Sequence, residues 1–189
     1  PSGKIILELS GLTVKNERSF PAVRDVSFEI SAGEILGIAG VEGNGQTELI
    51  EAVCGLRKIE SGSIKINGNE ITDKTEIAHI PANRHKHGMV AEYTLSENIL
   101  LGRENEERFS TGLLLKKKAI DSFTDNVIAE YDIRPQDHST LIAGLSGGNQ
   151  QKLVAAREMT KHTDVIVVSH PARGLDIKAA NFVYKTILE

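Results

Sequence analysis

The sequence predicts an α/β domain with a mainly parallel core sheet, an antiparallel β subdomain near the N-terminus and a helical subdomain in the middle. Three observations carry this. Residues 34–39 form an apolar, strand-like run that leads through a glycine-rich stretch into a helical pattern. Residues 164–168 are a second apolar run, rich in β-branched side chains, that reads as a buried strand. Between them, Ile120, Phe123, Val127 and Tyr131 recur at three- and four-residue spacing and form one apolar stripe.

Taken in order, residues 4–9 and 26–30 read as strands, the latter with Val26, Phe28 and Ile30 on one face. The loop between them offers one aromatic, Phe20, either as a stacking surface for a planar ring or as ordinary packing. After the run at 34–39 comes Gly40-Val41-Glu42-Gly43-Asn44-Gly45-Gln46-Thr47. It fits the phosphate-loop pattern G-x-x-x-x-G-K-[ST] at every fixed position except the lysine, which is Gln46. A helix follows from Glu48, with Leu49, Val53 and Leu56 at helical spacing and Gly55 near its end. Strand, glycine loop and helix together make a phosphate cradle. Ser63 to Ile66 then runs into Asn67-Gly68, a hairpin signal that extends the antiparallel portion.

Residues 94–144 read as mostly helical. Lys116-Lys117-Lys118 marks a solvated helix start, and His85 and His87 flank Lys86 as solvated loop histidines with no acidic or cysteine cluster nearby to complete a metal site. Leu145-Ser146-Gly147-Gly148-Asn149-Gln150-Gln151-Lys152 is the most informative stretch of the chain. Its glycines let the backbone approach an anion closely, and the N–H groups and dipole of the helix it opens favour negative charge. The Ser146 hydroxyl is a further donor.

The run Leu145 to Lys152 resembles the signature motif of ABC-type ATPases, the nucleotide-binding subunits of transporters. The glycine loop at 40–47 and Gly174-Leu175-Asp176, similar to their D-loop, agree. The resemblance spans roughly residues 5–185 and implies a P-loop NTPase fold of the ABC type. It implies one domain over 1–189. Within it, the β and P-loop core covers about 4–80, the helical subdomain about 90–150, and the core strand and D-loop about 151–189. It further implies ATP held by Gly40, Gly43, Asn44, Gly45, Gln46 and Thr47, with Phe20 as the candidate adenine-stacking ring and Thr47 as a weak Mg²⁺ contact.

Several departures from the family point the same way. Ser169 and His170 stand where the family places a metal-binding aspartate and a water-polarising glutamate. Pro81-Ala82-Asn83-Arg84 resembles the segment entering the Q-loop, with Ala82 where a Gln or Glu is expected. Gln46 removes a charged donor worth roughly 1.5–3 kcal/mol from the phosphates. A hydroxyl at 169 is a poor ligand for a hard dication.

The signature residues Ser146, Gly147, Gly148 and Gln150 are intact. The stretches 37–49, 145–152 and Pro171-Ala172-Arg173-Gly174-Leu175-Asp176 together resemble the second, degenerate ATPase half of simple-sugar and nucleoside importers, in which two ATPase domains are fused in tandem. That resemblance implies a hydrolysis-deficient site of its own, with His170 at the degenerate catalytic position, and a signature run donated to ATP on a catalytically complete partner domain, with Asp176 in the crossing loop. It also implies transmembrane permease partners and a peripheral place on the cytoplasmic face of the membrane. The alternatives are a self-sufficient ATPase using His170 as base, and a soluble ABC ATPase outside transport.

Composition sets bounds. With 189 residues, 40% hydrophobic and 4% aromatic, the core is aliphatic. A net charge of −4 with no basic stripe argues against a nucleic-acid partner. Cys54 is single and reads as a core residue. No apolar run nears the ~20 residues that span a bilayer. The chain opens on Pro1 and closes in a helical segment without the strand that follows the D-loop in the family, so a C-terminally truncated domain of a longer protein is expected.

Overall fold

Alternation of apolar and polar residues shapes the first part of the chain. In β1 (Ile5–Lys15) Leu7, Leu9, Leu12 and Val14 are buried. Leu9 and Leu12 lie three apart and still share the buried face because the register shifts between them, around Gly11 at φ 60°. β1 pairs antiparallel with β2 (Pro21–Ser31) on one side and β3 (Ser61–Ile66) on the other, giving the order β2-β1-β3-β4 with β4 at Asn69–Glu70. Asn67 and Gly68 have φ of 52° and 79°, the two left-handed residues of a tight hairpin turn. Helix α1 (Gln46–Val53) buries Leu49, Ala52 and Val53 in the same apolar cluster as Leu7, Leu9 and Ile64.

The computed structural model describes residues 3–41, 43–72 and 77–188. Glu42 of the glycine loop, Asp73 to Glu76 in the expected β portion, and both chain ends lie outside the described residues. The chain divides into two compact units, Pro1–His79 with His162–Val167 and Ile80–Lys161 with Val168–Glu189.

The run at 34–39 differs from expectation. Residues 34–41 carry no regular structure where described, and Ile35 and Ile38 are 75% and 53% exposed. A parallel strand needs a ladder on its flanks, and among the described residues β5 (Ala78–Ile80) and β6 (Ile166–Val168) pair only with each other. The Ala78 N–H donates to Val165 and the Ser169 N–H to Ile80, so these two strands run in the same direction. For the same reason β6 is half-exposed rather than buried, with Ile166 at 40%.

The second unit is held by helices. Thr94 and Glu97 form a reciprocal capping box that starts α3 (Leu95–Leu100). Helix α4 (Lys117–Glu130) places Ile120 and Val127 in the interior with Thr124 and Ile128, and Phe123 and Tyr131 at its margin. The rest of 94–144 is less helical than the sequence suggests. Gly102, Gly112 and Asp132, at φ of 73°, 88° and 46°, impose turns, and Ile142–Gly144 form a single 3-10 turn. α5 (Gly147–Met159) contributes Leu153, Val154 and Ala156 to the core, and α6 (Ile177–Leu188) closes the described chain.

Arg103 is fully buried. Its guanidinium lies 5.3 Å and 4.9 Å from the Phe109 and Phe123 ring centroids, pairs with Glu106 at 2.6 Å and donates to Thr160. A buried charge requires such company.

Candidate functional site

The glycine loop is built by backbone demands. Gly43 and Gly45 have φ of 91° and 92°, and Gly45 is the residue before α1. A side chain at Gly45 would also run into the Ala22 carbonyl of β2. The Asn44 N–H closes the turn onto the Val41 carbonyl at 3.2 Å. Gln46 folds back across the loop, and a Cβ at Gly40 would collide with its amide nitrogen. Thr47 is exposed. Beside the loop lies a depression of about 230 Å³, lined by Ala22, Val23, Val26, Ile38, Asn44, Gln46 and their neighbours. Phe20 does not line it and stands 66% exposed at the β1–β2 turn, where its N–H donates to Asn16 Oδ1 at 3.1 Å.

The signature run forms the entry to α5. Ser146 is its N-cap. The Asn149 N–H donates to Ser146 Oγ at 3.4 Å, and Asn149 Nδ2 donates to the same oxygen at 3.2 Å. Both acceptor positions of the hydroxyl are thereby used, which leaves its own O–H to donate outward. Ser146 is exposed, and Gly147 and Gly148 are half-exposed. Gln150 is buried. Its Nε2 donates to the Ile142 carbonyl at 3.2 Å, and its Oε1 accepts from Arg84 Nε at 3.2 Å. The amide braces the run from within.

At the end of β6, Ser169 is half-buried and His170 is exposed at φ 44°, in the left-handed region. The His170 carbonyl accepts from the Arg173 N–H in the following turn. Asp176 caps α6, its Oδ1 accepting from the Ala179 N–H at 2.9 Å.

Over residues 23–172 the chain matches the family described as ABC transporter. The chain belongs to the ABC transporter family. It is 45% identical over 194 residues to the guanosine import ATP-binding protein NupO of Bacillus subtilis (strain 168), covering 99% of this chain and 38% of that protein. It is 38% identical over 192 residues to the nucleoside import ATP-binding protein NupA of Lactococcus lactis subsp. cremoris (strain MG1363), covering 98% and 38%. The chain thus spans under two-fifths of the length of these curated relatives. In structure it is similar to the dimeric post-hydrolysis state of the ATP-binding cassette MJ0796 bound to ADP and Pi. The TM-score is 0.78 at 18% identity, covering 96% of this chain and 81% of that one, so the fold is that of an ABC ATPase cassette.

Within the ABC fold, two features escaped the sequence reading. Arg84 opens α2 (Arg84–His87) after Asn83, whose side chain accepts from the His85 and Lys86 N–H groups. Asn83 is a readable cap, but the 66-residue separation to Gln150 leaves no local trace of the contact. Asn149, whose Oδ1 accepts from the Arg134 N–H at 3.0 Å, ties the signature run to the loop after α4. His85 and His87 are exposed on α2, and no group of three or more metal-ligating side chains is assembled among the described residues. At the glycine loop Thr47 offers a hard dication a neutral hydroxyl, a weaker ligand than a carboxylate.

Proposed function

We propose that this domain is the degenerate nucleotide-binding half of an ABC importer for nucleosides or simple sugars. It acts by presenting its signature run to ATP held on a catalytically complete partner domain. The observation that carries the reading is an asymmetry between two anion cradles. The glycine loop carries the uncharged Gln46, folded back against Gly40, where a phosphate cradle calls for a cation. The entry to α5 instead presents an exposed Ser146 and half-exposed Gly147 and Gly148, with one hydroxyl proton undirected.

A helix start with free N–H groups carries about half a positive charge. A phosphate arriving there meets the backbone donors, the Ser146 hydroxyl and that dipole together. The relatives named for guanosine and nucleoside import support the cargo class, and cargo choice itself belongs to the permease subunits with which such a domain assembles. No helix among the described residues is long and apolar enough to cross a membrane, in keeping with a peripheral place on the cytoplasmic face.

The test is the ATPase rate of the assembled transporter. Ser146→Ala removes a charge-assisted hydrogen bond and is expected to lower the rate roughly ten- to a hundred-fold. An unchanged rate overturns the reading. In parallel, calorimetric titration of this chain with ATP and Mg²⁺ is expected to show weak or no binding and no turnover. Mg²⁺-dependent turnover by this chain would make it a self-sufficient ATPase, with His170 the first residue to replace.

A further inference from the structure

We propose that Arg84 is a positioning residue of the signature run, acting through Gln150 and over Gly147. This rests on the reading that the run faces ATP. The geometry is specific. A Cβ added at Gly147 would lie 2.7 Å from Arg84 Nη2, so the guanidinium sits over the first residue of α5, and a side chain there would push it aside. The Arg84 Nε–H donates to Gln150 Oε1 at 3.2 Å. The other end of the same amide is fixed, because Gln150 Nε2 donates to Ile142 at 3.2 Å in the 3-10 turn that leads into the run. Arg84, Gln150 and Ile142 form one chain of hydrogen bonds that spans the loop before Ser146 and the first turn after it.

Arg84 is itself held. Asn83 caps its helix. A side chain at Gly88 would press on the Arg84 backbone, at 2.9 Å from its Cα, so α2 and its closing glycine are tightly wound. Among the described residues no carboxylate pairs with the guanidinium, and Gln150 is its hydrogen-bond partner. An Arg fork that uses one N–H on a neutral amide keeps its full charge and its remaining donors beside the α5 N-terminus. Arg84 thus does two things for an anion docked there. It keeps the N–H groups of Gly147 and Gly148 in place, and it adds positive potential to that of the helix.

The experiment uses the assembled transporter and reads KM for ATP, kcat and thermal midpoint for Arg84→Met, Arg84→Lys, Gln150→Ala and the Arg84→Met/Gln150→Ala double variant. Ser146→Ala is measured alongside. Arg84→Met keeps the apolar stem and removes the charge. It is expected to raise KM about ten-fold with the midpoint within about 2 °C of the parent. Arg84→Lys should recover part of that loss. The double variant should fall short of the product of the single effects, because both act on one linked unit.

A normal KM for Arg84→Met, a loss that tracks a fall in midpoint, or strict additivity with Gln150→Ala each overturns the proposal. If Ser146→Ala slows the transporter while Arg84→Met leaves KM unchanged, only the role of Arg84 fails. If neither variant has an effect, the donated signature run fails with it.

Discussion

Gln46 decides what the glycine loop can hold. Its amide folds back against Gly40, and it brings no charge to the loop. Gln46→Lys is therefore expected to tighten ATP binding by the isolated chain about ten- to a hundred-fold, the worth of one charge-assisted hydrogen bond. Calorimetry reads this directly, and equal affinity in both forms would show that the loop lacks more than a charge. Turnover is not expected from this change alone, because Ser169 and His170 still supply no carboxylate. Gly45 makes a separate, structural demand. At φ 92° and against the Ala22 carbonyl, it tolerates no side chain. Gly45→Ala should cost about 1–3 kcal/mol, the scale of backbone strain at a position a side chain does not adopt. Chemical denaturation of parent and variant measures it, and a loss below about 0.5 kcal/mol would show that β2 can move aside.

Among the elements, those specified by local chemistry were legible and those specified by distant partners were not. Asn67-Gly68 announced its hairpin because only residues tolerant of positive φ make that turn. Ser146 announced the start of α5 because a hydroxyl before a helix satisfies its open N–H groups. The capping box Thr94 to Glu97 was equally local and would have placed the start of α3. Residues 34–39 read as a strand on apolarity alone, but a strand is completed by neighbours that sequence pattern does not count. The Arg84–Gln150 contact was invisible for the same reason.

A further element-level property concerns the loop that follows α4. His138 Nδ1 lies 2.8 Å from Asp125 Oδ1, and Nε2 lies 3.8 Å from Asp121 Oδ2. The Asp125 hydrogen bond pushes the His138 pKa up, and the charges of Asp125, Asp121 and Asp137 reinforce it against a smaller opposing effect of burial. A pKa raised on folding adds stability below the unfolded value of about 6.5 and loses it as pH rises through the folded value. Burial acts to raise the pKa of Asp121, but hydrogen bonds from Lys117 and Ser96 outweigh it and hold the net value down, so its contribution disappears as pH falls through the acidic range. The thermal midpoint should accordingly be about 1–3 °C higher near pH 5.5 than at pH 8, a small effect because His138 is partly exposed. His138→Gln should flatten that difference, and an unchanged profile would remove the pair from the account.

For the molecule as a whole, what matters is the surface that folding leaves uncovered. Ile35, Leu36, Ile38 and Val41 are 75%, 42%, 53% and 75% exposed along one segment without ladder partners among the described residues. Apolar side chains and free backbone groups on the same stretch are the two ingredients of strand-to-strand association. The aliphatic composition adds to this, since no charge falls within the run: Glu34 precedes it and Glu42 follows it. The chain on its own is therefore expected to self-associate at micromolar concentration and to bind a hydrophobic dye. Ile35→Lys with Ile38→Lys should restore a monomer without lowering the thermal midpoint, because neither side chain is buried. Light scattering and sedimentation of both forms decide it. If the double variant associates as the parent does, the sticky surface lies elsewhere, and Leu113 and Leu114, 95% and 74% exposed in the turn before α4, become the residues to change. If the parent is already monomeric, residues 34–41 are covered in solution, and the strand expected from the sequence forms there after all.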